Sequence, residues 1–152
     1  MADFTVYTGM FFAALIAGTF LPFLPASSEL VLGGFLAAGE GEPGFLVLAA
    51  TVGNVIGSII NYFIGRSVSG LAGRRWFPAT EAQMQRASLQ FNRYGFWILL
   101  MSWLPLFGDL ITTIAGLLRT NFKLFVALTT LGKFFRYFLI VVGVDWFQGW
   151  PD

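Results

Sequence analysis

Long stretches of this chain carry no charged residue. Residues 4–28 and 43–65 contain none, residues 94–118 contain one, and residues 124–147 contain three. About 20 consecutive apolar residues are enough for a helix to cross a bilayer. Only 11% of the 152 residues are charged, against about a quarter in an ordinary soluble domain. Because so few polar side chains remain to cover a soluble surface, we predict an integral membrane protein.

The chain contains no Cys and no His. This excludes disulfides, thiol nucleophiles, imidazole bases and metal sites built from sulfur or imidazole. We therefore expect no catalytic residue, no metal site and no cofactor, and an enzyme is not expected. A nucleic-acid partner is not expected either.

Prolines divide two of the apolar blocks. Pro22 and Pro25 interrupt residues 4–40, and Pro105 interrupts residues 94–118. Proline breaks a helix and disfavours helical geometry in the residue before it. The pieces on either side of Pro105 would each rise about 16 Å, roughly half a bilayer. We therefore predict that each block enters the membrane and returns as a re-entrant helical hairpin.

A short motif recurs at the two proline breaks. Residues 23–30 and 103–110 share the pattern aromatic-Leu-Pro-x-x-x-acid-Leu, 80 residues apart. In each half an apolar block follows, residues 43–65 and 124–147, and each is predicted to be a transmembrane helix. A unit with one full span takes opposite orientations in its two copies, as in many transporters. We therefore predict a single all-α membrane domain, residues 1–152, built from two inverted repeats of a re-entrant hairpin and one transmembrane helix.

The only long polar stretch, residues 66–93, is a basic connector between the two halves. Thr80 and Gln83 within it have the spacing of a capping box, which predicts a short helix lying at the membrane surface. With both hairpins re-entrant, residues 66–93 and 119–123 share one side of the membrane, and seven of the nine basic residues lie there. The preference of Lys and Arg for the cytoplasm then places the connector inside and both termini outside.

Four charged residues remain at membrane depth: Glu29, Asp109, Lys133 and Arg136. A charge at the bilayer centre costs on the order of 2.5 to 3.5 kcal/mol even on the mildest scale, so such residues commonly mark a pathway or a site. One interpretation is structural, with the two acids pairing with the two bases to fix the fold. The interpretation that we favour is functional, with the four residues around a substrate.

The functional interpretation predicts a polar pocket where the two hairpins meet. Its cavity-lining candidates are Ser28, Asn54, Asn61 and Ser102. Helix N-termini and the two buried cations suit an anionic group such as a lipid phosphate. A carboxyl group in a partly desolvated site takes up a proton more readily, so Glu29 and Asp109 are candidate proton carriers.

Small residues recur at four-residue steps along residues 43–65, among them Gly53 and Gly57. This spacing lets helices approach closely. It predicts tight packing against a hairpin or against another subunit. In the second case the protein would be a homodimer.

Four segments of the chain resemble the DedA (SNARE-associated, VTT-domain) family of membrane proteins, in its short YqaA-type branch. They lie within residues 20–40 (Leu-Pro-x-x-Ser-Glu-Leu-Val-Leu), 51–66, 93–119 and 131–137 (Leu-Gly-Lys-Phe-Phe-Arg-Tyr). The resemblance implies two re-entrant hairpins, the bacterial inner membrane and, for several members, translocation of undecaprenyl phosphate or phospholipid linked to the proton-motive force. Glu29 matches the essential re-entrant glutamate of the family.

The chain also departs from the family pattern. The longer members carry Arg-Phe-x-Pro-x-x-Arg at the second hairpin, and the two arginine positions align with Ser102 and Gly108. The resemblance therefore implies that Lys133, Arg136 or Arg119 binds the anion instead. The family's second acid falls near Glu40 and Glu42, and the resemblance implies that one of the two takes its place.

Together these features favour a small lipid translocase that moves an anionic headgroup, of a polyprenyl phosphate or a phospholipid, coupled to protons. The alternative is an inner-membrane factor that transports nothing and supports envelope integrity or the assembly of partners.

Overall fold

The computed structural model describes residues 2–19, 28–71, 80–104 and 107–148. Within these ranges the chain is helical, with six α-helices, one 3-10 helix and no strand. The helices are α1 Ala2–Gly18, α2 Ser28–Ala38, α3 Pro43–Ser69, α4 Glu81–Leu100, the 3-10 helix Met101–Trp103, α5 Phe107–Leu117 and α6 Phe122–Gln148. The predicted all-α class is confirmed for this part of the chain.

The two longest helices, α3 and α6, correspond to the two predicted spans. Each has 27 residues, a length of about 40 Å, and both are long and apolar enough to cross a membrane. Pro43 opens α3 at the first helical position, where its missing N–H is not needed. The side-chain oxygen of Asn121 caps α6 by accepting from the N–H groups of Lys123 and Leu124. α3 continues to Ser69, past the predicted limit at residue 65, because a change to polar composition does not by itself end a helix.

Helix α4 corrects one predicted boundary. The expected capping box is present, since Thr80 N–H donates to Gln83 Oε1 at 2.9 Å and Gln83 N–H donates to Thr80 Oγ1 at 3.3 Å. The helix that follows runs without a break from Glu81 to Leu100, whereas separate elements were expected on either side of residue 93. No proline interrupts this segment, so the polar and apolar parts form one helix.

The prolines that predicted the hairpins, Pro22, Pro25 and Pro105, lie outside the described residues. The helices that follow them, α2 and α5, have 11 residues each and rise about 16 Å, roughly half a bilayer. α1 packs against α2, and α4 packs against α5. Each proline region is therefore followed by a short helix that packs against the helix before it.

The second half of the chain repeats the helix pattern of the first. α4, α5 and α6 begin 79 residues after α1, α2 and α3 respectively (2 to 81, 28 to 107 and 43 to 122). α5 has the length of α2, and α6 has the length of α3. The repetition therefore extends from the short sequence motif to whole helices.

The chain forms two compact units. Unit 1 comprises Met1–Gly57 and Lys133–Asp152, and unit 2 comprises Ser58–Gly132. The buried apolar core of unit 1 is formed by Met10, Ala14, Leu32, Leu46, Val47, Ala50 and Tyr137. The core of unit 2 is formed by Tyr62, Phe91, Leu99, Ala115, Leu118, Phe125 and Leu128. Each unit thus has its own core.

Glycines allow helices to approach closely inside each unit. In unit 1 a Cβ atom at Gly53 would overlap the backbone of Phe11, and one at Gly57 would lie 2.6 Å from the backbone of Gly18. In unit 2, Gly65 makes the same kind of contact with α5. The tight packing predicted for these small residues is confirmed, and the partner of Gly53 and Gly57 is α1 of the same chain.

The exposed face of α3 consists of large apolar side chains. They recur every three or four residues and are each at least 38% exposed: Phe45, Leu48, Val52, Ile56, Ile60 and Phe63. The buried side of the helix carries the polar residues Thr51, Asn54, Ser58 and Asn61. A helix in water has the opposite arrangement, and an apolar surface of this extent suits contact with lipid.

Helices α2 and α5 end in the same kind of turn. Gly39 follows α2 with a φ of 67°, and Arg119 follows α5 with a φ of 54°. In both turns the next residue's N–H donates to the carbonyl five residues earlier, as in a Schellman motif. Glycine adopts this left-handed conformation without steric cost, whereas other residues held in it cost on the order of 1 to 3 kcal/mol. Arg119 therefore occupies a position that glycine would fit better.

Candidate functional site

Unit 1 gathers five of the predicted site residues. Ser28 and Glu29 open α2, Asn54 lies in the middle of α3, and Lys133 and Arg136 lie one turn apart on α6. Three of the five, Ser28, Asn54 and Lys133, are no more than 2% exposed. A polar site thus lies inside the unit, at a point to which three helices contribute.

Lys133 is held in this site by an amide. Its Nζ donates a hydrogen bond to Oδ1 of Asn54. Because a lysine ammonium group can only donate, the amide oxygen of Asn54 faces Lys133 and the amide nitrogen faces elsewhere. Burying an ammonium ion costs several kcal/mol unless polar groups compensate for the lost water. Asn54 therefore supports the buried charge and is itself fixed in orientation by it.

Tyr137 connects this pair to α2, and sequence reasoning missed it. Nδ2 of Asn54 donates to Oη of Tyr137 at 2.7 Å, and the same Oη lies 2.7 Å from Oγ of Ser28. In the contact between Tyr137 and Ser28, either hydroxyl can be the donor. The ring of Tyr137 belongs to the apolar core and is fully buried. Its position four residues after Lys133, on the same face of α6, is the sequence feature that could have identified it.

Glu29 and Arg136 form an ion pair across α2 and α6. Their side chains are 24% and 14% exposed, so the pair is partly shielded from the surroundings. The guanidinium group of Arg136 also lies 5.6 Å from the centroid of the Tyr137 ring, within the range of a cation–π contact. One acid of the predicted quartet is thus paired with one base.

Gly18 shapes the site from α1. A Cβ atom at this position would lie 2.6 Å from the carbonyl oxygen of Asn54 and 2.9 Å from its Oδ1. Both distances are shorter than real contacts of a Cβ atom. Only a glycine therefore lets α1 approach α3 at the residue that binds Lys133.

The other predicted site residues belong to unit 2. Asp109 lies in the first turn of α5, and its backbone carbonyl accepts hydrogen bonds from the hydroxyls of Thr112 and Thr113, three and four residues later. Asn61 and Ser102 are fully buried, and the Ser102 hydroxyl has no hydrogen-bond partner within the described residues. Arg119 is exposed at the turn after α5, where its Nε donates to Ser69 Oγ at 2.9 Å.

The arrangement in unit 1 is suited to binding an anion. Arg and Lys side chains and helix N-termini are the groups that bind phosphate in proteins, and here Lys133, Arg136 and the start of α2 supply all three. Across the described ranges, no three Asp or Glu side chains come together as metal ligands do. The side chains of the unit 1 site can form ion pairs and hydrogen bonds, and the Glu29 carboxyl group can exchange a proton.

Residues 4–145, nearly the whole chain, match the model of the VTT domain. The chain belongs to the VTT-domain (DedA) family. The resemblance inferred from the sequence motifs is thereby confirmed. With its long apolar helices and their apolar exposed faces, this VTT-domain chain is a membrane protein.

Several curated proteins are similar to this VTT-domain chain. Inner membrane protein YqaA of Escherichia coli K12 is 35% identical over 141 residues, which cover 89% of this chain and 94% of that protein. Undecaprenyl phosphate transporter A of Bacillus subtilis is 27% identical over 159 residues, covering 97% and 72%. A Lactococcus lactis protein named alkaline phosphatase-like protein is 33% identical over 138 residues, covering 83% and 63%. No solved structure matches the chain.

Proposed function

We propose that this VTT-domain protein is a translocase that carries the phosphate headgroup of a lipid across the bacterial inner membrane, coupled to protons. The observation that carries the proposal is the polar site of unit 1, where a buried lysine lies one helical turn from a partly shielded Glu29–Arg136 pair. Undecaprenyl phosphate is the preferred substrate, with a phospholipid as the other choice. The name of the Bacillus subtilis relative, undecaprenyl phosphate transporter A, supports this preference.

The phosphate would be bound by the cations of the site. The guanidinium group of Arg136 can bind two phosphate oxygens at once, whereas Lys133 acts as a point charge. The positive end of the α2 dipole adds to the attraction. The Ser28 hydroxyl, held by Tyr137, can donate a further hydrogen bond to a phosphate oxygen.

Glu29 would couple this binding to protons. Its carboxylate pairs with Arg136, so a phosphate must compete with it for the same guanidinium group. Protonation of Glu29 removes its charge, weakens the pair and makes Arg136 available to the phosphate. Proton uptake and anion binding would therefore favour each other. Asp109 on α5 is proposed as the second proton carrier.

The architecture that we infer for transport consists of two inverted repeats, each a re-entrant hairpin followed by one transmembrane helix. The equal lengths of α2 and α5 and of α3 and α6 support it, as does the length of α2 and α5, about half a bilayer. The basic connector, residues 66–93, would face the cytoplasm and both termini the outside. The proposal includes a homodimer as the oligomeric state.

The rival function is that of a membrane factor that supports envelope integrity or partner assembly without transport. The packing of Gly53 and Gly57 against α1 occupies, within the chain, a surface that could have bound a partner. Transport is therefore the function that the site supports best.

Reconstitution in liposomes tests the proposal. Headgroup accessibility of a labelled undecaprenyl phosphate, and separately of a labelled phosphatidylglycerol, is followed with and without a pH gradient. We expect protein-dependent flux of one lipid that rises with the gradient, is lost in Glu29→Gln and persists in Asp145→Asn, an exposed acid on α6. Flux of both lipids equal to that of empty liposomes would contradict the proposal and favour the rival function.

A further inference from the structure

Two arginines of unit 2 lie where the end of α3 meets the turn between α5 and α6. Arg66 is in the last turn of α3, and Arg119 is the residue with positive φ in the turn. Both are exposed. Within the described ranges neither forms an ion pair with an acidic side chain. The translocation site in unit 1 uses neither Arg66 nor any residue bonded to it.

Hydroxyl groups tie both arginines to this junction. Nε of Arg119 donates to Oγ of Ser69 at 2.9 Å, and Ser69 Oγ donates to the backbone carbonyl of Arg66 at 2.6 Å. Nη1 of Arg66 lies 3.4 Å from Oη of Tyr62, which donates to the backbone carbonyl of Thr120. The Ser69 hydroxyl thus links Arg119 to the backbone of Arg66. The Tyr62 hydroxyl links Arg66 to the backbone of Thr120, the residue after Arg119.

Within the described residues, these bonds engage one nitrogen of each guanidinium group. Only Nε of Arg119 is engaged within the described residues, so both of its Nη groups can donate. From α4, the Ser88 hydroxyl donates to the carbonyl of Leu118 at 2.9 Å and fixes the turn from a second side. The arginines are therefore exposed and lie on a backbone that hydrogen bonds support.

The backbone of Arg119 has a positive φ, which is uncommon for a residue other than glycine. The equivalent turn after α2 uses Gly39, which suits a positive φ, whereas this turn uses an arginine in spite of the strain. Residues held in such conformations cluster at functional sites. The side chain of Arg119 also makes a contact that glycine would not supply, the hydrogen bond to Ser69.

We propose that Arg66 and Arg119 form a second anion site, which binds a phosphate group at the end of α3. A guanidinium group binds two phosphate oxygens through parallel N–H donors. The phosphate can belong to an anionic lipid, since α3 is long and apolar enough to span the bilayer, or to free phosphate. The site uses neither Glu29 nor Lys133, so it stands or falls independently of translocation.

Binding measurements on the purified protein in neutral detergent test this site. The probes are dioctanoyl phosphatidic acid and inorganic phosphate, titrated by calorimetry. We expect Arg66→Gln and Arg119→Gln each to weaken binding about tenfold or more, whereas Arg93→Gln, an exposed arginine beside Tyr94, should leave it unchanged. If only phosphatidic acid binds, the ligand is a lipid. If the arginine substitutions weaken the binding of both probes equally, the site recognises the phosphate group itself. Equal affinities in all of these proteins would overturn the proposal.

Arg119→Gly separates binding from a structural role. Glycine relieves the positive φ, so the thermal midpoint, followed by circular dichroism, should stay the same or rise while phosphate binding is lost. A lower midpoint with unchanged binding would mean that Arg119 serves only to hold Ser69, and would overturn the proposal. Ser69→Ala keeps both charges and should weaken binding less than either Arg→Gln variant does.

Discussion

Lys133 on α6 donates a hydrogen bond to the side-chain oxygen of Asn54 on α3, inside unit 1. This bond orients the amide so that its nitrogen donates to Tyr137, which in turn contacts Ser28 at the start of α2. A single buried network therefore joins three helices at the place where the charged residues gather. Its members stabilise the unit and position the groups proposed to bind phosphate.

The bond between Lys133 and Asn54 predicts strong energetic coupling. Asn54→Leu removes the acceptor from a buried ammonium group and should lower the free energy of unfolding by roughly 1 to 3 kcal/mol. Lys133→Met together with Asn54→Leu replaces both partners by apolar groups and should recover most of that loss. Unfolding of the four proteins in detergent measures the cycle. Additive effects of the two substitutions would show that the bond contributes nothing.

Tyr137→Phe removes one hydroxyl and leaves the ring in the core. We expect a loss of roughly 1 to 2 kcal/mol in the free energy of unfolding, since two buried hydrogen bonds disappear, and a slower lipid flux because Ser28 is no longer held. Tyr94→Phe is the matched control, since Tyr94 is 54% exposed. If the two variants behave alike in unfolding and in flux, the Tyr137 hydroxyl does not position the site.

Gly18→Ala should disturb the site through packing alone. The added methyl group has no room beside Asn54, and overpacking of this kind typically costs about 1 to 3 kcal/mol. Gly33→Ala on α2 is the control, because nothing lies within 4 Å of a Cβ atom there, and alanine favours a helix by up to about 1 kcal/mol. Thermal unfolding should therefore shift in opposite directions. If the thermal midpoints of Gly18→Ala and Gly33→Ala shift in the same direction, α1 does not pack tightly against Asn54.

Cysteine labelling tests the proposed orientation. The chain has no native Cys, so single cysteines at the exposed positions Glu40 and Lys123 can be introduced without background. An impermeant maleimide should label Glu40→Cys in intact cells and label Lys123→Cys only after the cells are opened. The reverse pattern, or labelling of both in intact cells, would refute the orientation.

The sequence was sufficient to predict the helices because their causes are local. Apolar length predicted α3 and α6, and the Thr80–Gln83 spacing predicted the start of α4. The end of the expected surface helix at residue 93 was wrong, since a polar-to-apolar change marks an altered environment rather than a helix end. Amino-acid composition indicates the environment of a helix, whereas helix-breaking and capping residues determine where the helix ends.

The candidate site was only partly accessible from the sequence. Charges in an apolar block are conspicuous, so Glu29, Lys133 and Arg136 could be identified directly. Tyr137 was missed, because its ring is an ordinary core side chain and its role depends on one oxygen that meets Asn54 and Ser28 from distant segments. Such a role depends on tertiary packing between segments that are far apart in the sequence, so no local sequence pattern predicts it.

The most direct measurement compares two lysines of α6 in the liposome assay. Lys133 is buried in the site, and Lys123 is exposed at the start of the same helix. If Lys133 binds the lipid phosphate, Lys133→Met abolishes flux of labelled undecaprenyl phosphate, while Lys123→Met retains it at the same reconstituted amount. Wild-type flux in Lys133→Met would contradict the assignment of the unit 1 site to lipid translocation.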